Sequence, residues 1–171
     1  MSLAILRKAQ IVRMLVVAWI ALLLSGCMTM RLISDYDEPT DKALTAIQHA
    51  ADDFITKLVA DAPSEQNGFD RHKQFYADID QQLRRLEFRV MSIPKNSQTV
   101  TLVGNVRTAL LGEGKCTAEG NSLRDLHCIP ENLAKGPSKT ALQIAQRYIN
   151  QTIGAALALE LAKKQGLEQN K

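Results

Sequence analysis

Acidic residues are missing from the first 26 positions of this 171-residue chain, although Arg7, Lys8 and Arg13 lie there. That gap removes an apparent signal. The whole chain has a formal net charge of +3 and a pI near 8.8, which suggests an anionic partner. Without those three cations, 18 basic residues face 18 acidic ones. The remainder has no basic excess to hold a phosphate backbone, so no nucleic-acid partner is expected. Tryptophan is nearly absent too, and the only one, Trp19, lies in the same stretch. No apolar run approaches the roughly 20 residues that span a bilayer core; Met14 to Leu24 has eleven. There is no Gly/Ser linker, solenoid repeat or low-complexity tract, which leaves one domain after the N-terminal segment. Gly-x-Ser-x-Gly, His-Glu-x-x-His, Glu-x-x-His and phosphate-cradling glycine loops are also missing, and with them the common hydrolase, zinc-peptidase, di-iron and nucleotide sites. What is present, 46% hydrophobic and 23% charged residues, is the balance of a folded globular protein.

The N-terminal segment combines three cations, the eleven-residue apolar run and then Leu24-Ser25-Gly26-Cys27. Cations followed by a short apolar run and small residues are the parts of a secretory signal peptide. The Leu-Ser-Gly-Cys ending resembles the lipobox of bacterial lipoprotein precursors. That resemblance implies cleavage between Gly26 and Cys27, a diacylglyceryl thioether on Cys27, and loss of residues 1–26. It also implies an outer-membrane destination facing the periplasm, because Met28 stands where an inner-membrane retention Asp would be. An ordinary secretory signal or a short uncleaved anchor is the plainer alternative. One acyl chain binds a membrane only marginally whereas two hold it stably, so a lipidated Cys27 would be a lasting tether. Residues 27–38 are then the lipidated cysteine and a short spacer, and 39–171 the domain.

Four stretches of the domain have helical periodicity. In the first, Pro39–Ala62, Leu44, Ile47, Ala51, Phe54 and Leu58 step by three and four. Pro39 and the acids Asp35, Asp37, Glu38 and Asp41 suit its N-terminus. In the second, Phe69–Met91, the stripe is His72, Tyr76, Ile79, Leu83, Leu86 and Val90. The third, Ser97–Gly112, is β-branched like a strand, yet Val103, Val106 and Leu110 step as a helix and no second strand is available to pair with it. The fourth, Ser138–Gly166, has a stripe of Ala141, Ala145, Tyr148, Thr152, Ala155, Leu159 and Ala162 and a second face of Leu142, Ile149, Ile153 and Leu157. It is therefore expected to be the most buried. The expected fold is all-α: an up-down four-helix bundle with a loop between the third and fourth helices.

Cys116 and Cys128 lie in that connection. With Cys27 set aside, they are an even pair in an oxidising compartment, and a disulfide between them would close a Gly-rich segment with little burial of its own. A metal site from Cys116, His127 and Cys128 is the alternative, but it needs a fourth ligand. His49 and His72, on different helices, could meet across the bundle. Asp35, Asp37 and Glu38 could hold Ca²⁺ loosely, but without EF-hand spacing they read as helix N-terminal acids. No metal and no cofactor is expected.

The Arg31–Glu38 stretch with its Ile33-Ser34-Asp35-Tyr36-Asp37-Glu38, the later Ile93-Pro94-Lys95-Asn96 and the Leu159–Lys164 ending resemble a group of small bacterial lipoproteins. This likeness implies location and fold and brings no activity. The expected function is a non-enzymatic lipoprotein held in the membrane through Cys27, with another envelope protein as partner or a structural role. A carrier of small ligands in a pocket between helices is the alternative, and an envelope enzyme is disfavoured by the lack of a nucleophile–base pair.

Overall fold

The computed structural model of the chain describes residues 33–116 and 121–168, together with 13 and 14. Gly26 and Cys27 lie outside the described residues. Five α-helices and a 3₁₀ turn follow Ile33, and no strand occurs among the described residues.

Helix α1 (Glu38–Asp61) starts where Asp37 caps it, its carboxylate accepting the Thr40 N–H at 3.0 Å. Its buried residues include all of Leu44, Ile47, Ala51, Phe54 and Leu58. After the 3₁₀ turn Glu65–Asn67, α2 (Phe69–Ser92) buries Tyr76, Ile79, Leu83, Leu86 and Val90, while His72 at its start is only half-buried. The β-branched segment is helix α3 (Ser97–Leu111), with Val103, Val106 and Leu110 wholly buried. Thr101 and Thr108 donate their hydroxyls to the carbonyls four residues back, a local bond that keeps threonine compatible with a helix.

The connection that follows differs from expectation. It contains a short helix, α4 (Leu123–Cys128), whose Leu123, His127 and Cys128 belong to the core. The segment thus has substantial burial of its own, contrary to the expectation from its glycines, and the disulfide closes onto a buried helix rather than a surface loop. The last helix, α5 (Lys139–Glu168), runs on past Gly166. Its buried face is Leu142, Ile149, Ile153, Ala156, Glu160 and Lys163. The expected leading stripe is half-buried or exposed, with Tyr148 48% accessible. Alanines at helical spacing do not outweigh the larger isoleucines and leucine one position away, because burial energy follows apolar area.

Helix α1 packs on α2 and α5, and α3 packs on α2 and α5, so the four long helices surround one core, with α4 laid against α3 and α2. No described helix is long and apolar enough to cross a membrane.

Candidate functional site

At the end of the core where α1 begins, polar groups converge in the interior. Lys163 and Glu160 sit one turn apart on α5 with side chains 2% and 0% exposed. A buried ion pair is tolerated when every proton and lone pair finds a partner. The three Lys163 N–H groups donate to Glu160 Oε1 at 2.6 Å, Thr99 Oγ1 at 2.6 Å and Asn96 Oδ1 at 2.8 Å. Thr99 donates its hydroxyl to Glu160 Oε1 at 2.9 Å, and Asn96 donates to the Val90 carbonyl at 3.0 Å.

The incoming chain completes this network. Ser34 donates its hydroxyl to Asn96 Oδ1 at 2.7 Å and its N–H to the Lys95 carbonyl at 3.0 Å. The Asp37 N–H reaches Glu160 Oε2 at 3.3 Å. The Asp37 carboxylate takes a two-pronged bond from Arg89 of α2, at 2.7 and 2.6 Å, as well as capping α1. That guanidinium holds its carboxyl down at about 2, below the usual carboxylate range. Tyr36 donates to Asp41 at 2.8 Å, which pushes its phenol up to about 12, and Lys164 lies over its ring. Glu38 pairs with Lys42. Asp37 and Glu38 thus act as helix N-terminal acids, and residues 34–37 are docked on the domain rather than trailing from it.

A second buried cluster occupies the opposite end. His127 is fully buried among Phe54, Phe69 and Tyr76, with Nε2 2.6 Å from the Asn67 carbonyl and Nδ1 2.8 Å from the Tyr76 hydroxyl. A carbonyl only accepts, so Nε2 carries the proton and Nδ1 accepts from Tyr76. Burial lowers the imidazole pKa below its ordinary 6.5 and raises the Tyr76 phenol well above 10. His72 packs 5.7 Å from this ring, centre to centre. The histidines brought together are therefore His72 and His127, whereas His49 is exposed. Cys116 and Cys128 are bonded to each other. With both sulfurs used and both His127 nitrogens engaged, these three side chains do not make the ligand set weighed above.

Beside this end lies an open apolar groove of about 520 Å³, walled by Leu123, Leu126, Ala141, Ala145, Ile144 and Tyr148. Fifteen residue steps of α5 separate Tyr148 from Lys163, about 22 Å along the helix, so the groove stands away from the docked residues 34–37. Sequence reasoning placed Tyr148 in the core and overlooked Glu160 and Lys163. The latter had a readable signal: Ile149, Ile153, Ala156, Glu160 and Lys163 continue one stripe by steps of four and three, so the polar pair lies on the core face.

What these features define is an all-helical, disulfide-containing domain with a docked N-terminal segment at one end and an apolar groove at the other. No protein-family model matches the chain, and no curated protein or solved structure compared with it shows a match.

Proposed function

We propose that the chain is a bacterial outer-membrane lipoprotein, cut between Gly26 and Cys27 and anchored through Cys27, with a non-catalytic interaction role at the periplasmic face. The four long helices run up and down as a bundle, and α4 covers one side. The anchor is supported by residues 7–27: cations, a short apolar run, small residues and cysteine in one window. The observation that carries the interaction role is the pair Ile144 and Tyr148, 55% and 48% exposed beside the apolar groove. Aromatic and aliphatic side chains left uncovered together mark contact surfaces, and this one stands at the end far from residues 34–37. Its occupant in this reading is another envelope protein.

The groove's volume also lies within the roughly 300–1,000 Å³ of small-molecule sites, which favours an apolar ligand as a second reading. Photocrosslinking from position 148 in intact cells separates the two. A discrete protein adduct that is lost with Ile144→Asp supports a partner. A co-purifying small molecule displaced by the same substitution supports a carrier. For the anchor, Cys27→Ser should abolish labelling by a fatty-acid analogue, and equal labelling would sink the lipoprotein reading. Met28→Asp should shift the protein towards the inner membrane of a diderm host.

A further inference from the structure

The last turns of α2, just before the turn that binds Ser34, carry two large exposed apolar side chains. Phe88 is 79% and Met91 62% exposed. Three residues apart on the last turns of α2, they share one face. A single exposed hydrophobe needs no explanation, but neighbouring ones do. Ile33, 40% exposed, enters at the same end, because the next residue, Ser34, is bonded to Lys95 and Asn96 of the turn that follows α2.

Chain length says what can cover them. Six residue steps separate Cys27 from Ile33, about 20 Å at full stretch. Direction is restricted as well, since Ser34 and Asp37 are held to α2, the turn after it and α5. A lipid on Cys27 therefore keeps Ile33 within about 20 Å of the bilayer, close enough for apolar side chains at this end to reach the headgroup boundary. Apolar area supplies the contact, with Arg85, three residues before Phe88, as the exposed cation beside it. Arg84, one turn before Phe88, is paired with Asp80, which also binds Arg107, and Arg89 is paired with Asp37.

We propose that the flank formed by Phe88 and Met91, with Ile33, rests in the lipid surface to which Cys27 is anchored. The docked residues 34–37 then set the domain's orientation and point the Ile144–Tyr148 groove away from the membrane. This inference rests on the lipid-anchor reading of Cys27.

Because Trp19 is the chain's only Trp and precedes the proposed cut, a single introduced Trp reports alone in the processed protein. The experiment uses lipidated full-length product in phosphatidylethanolamine–phosphatidylglycerol vesicles, with and without bromine on the acyl chains. In Phe88→Trp, brominated lipid should remove most of the emission, and adding Met91→Asp should restore much of it. Tyr148→Trp should keep its emission and be quenched by aqueous iodide instead. If the protein floats with the vesicles while Phe88→Trp ignores brominated lipid, the membrane flank is wrong and the anchor stands. An envelope protein that then shields the indole of Phe88→Trp from iodide would identify a partner surface instead. Equal lipid quenching at both positions also overturns the proposal, because no single flank is selected. If the protein does not float, the anchor reading fails and the inference falls with it.

Discussion

Lys163 has three ammonium protons, and Asn96, Thr99 and Glu160 supply one acceptor each. Removing one partner from such a pair strands the other charge in the core. Lys163→Ala should therefore cost about 3–5 kcal/mol in urea unfolding. The double change Glu160→Leu with Lys163→Met removes both charges together and should recover more than half of that loss. Gly112 poses a different constraint. It leaves α3 at φ 55° and ψ −149°, and a Cβ there would strike the Asp125 carboxylate and the Ser122 hydroxyl. Gly112→Ala should destabilise the fold by at least about 2 kcal/mol in the same assay, since left-handed strain and collision act together. Gly104, with open space around its Cα, should accept alanine with no loss and is the internal control.

The long helices and the short one differ in what sustains them. Helices α1, α2 and α3 each carry one complete apolar stripe, so their register was legible from spacing alone. Six residues are too few for an isolated helix in water, and α4 exists because Ser122 caps it, the disulfide ties its last residue, and Leu123 and His127 are buried. No period can be read in so short a piece, which is why the sequence suggested only a loop there. Reduction of Cys116–Cys128, separated by 12 positions, should lose about 3 kcal/mol by the loop-entropy estimate. For a domain of this size that is a fall in Tm of about 6–12 °C. Hydrogen exchange should accelerate first in the amides of α4, while the middle of α1 stays protected. Equal loosening of α1 would show that α4 is integral to the bundle's cooperativity.

For the molecule as a whole, two groups at opposite ends should set its response to acid. The His127 imidazole is held below its ordinary 6.5 by burial. Below about pH 6.5 the unfolded chain takes up a proton that the folded one refuses, so stability is full above that value and falls as pH drops towards the folded pKa. Asp37 sits at about 2 against an ordinary 3.8. Its contribution is present above about pH 4 and disappears between about 4 and 2. Urea midpoints measured from pH 8 to pH 2 should thus fall in two stages. His127→Gln should flatten the upper stage and Asp37→Asn the lower one.

The positions of the four long helices, the core residues of α1 to α3, and the Cys116–Cys128 pairing were determined by the sequence itself, because 3.6-residue periodicity and a choice of one partner are local information. Which face of α5 is buried was decided only by tertiary structure. Two overlapping stripes run along that helix, and just the set with larger side chains fills the space left by α1 and α3. The burial of Glu160 and Lys163 was decided the same way: a Glu and a Lys near a helix end read as solvated charges until Ser34, Asp37, Asn96 and Thr99, drawn from three other parts of the chain, arrive to satisfy them. So was the meeting of His127 with Tyr76 and Asn67, since hydrogen bonds across 51 and 60 positions leave no periodic trace in a sequence.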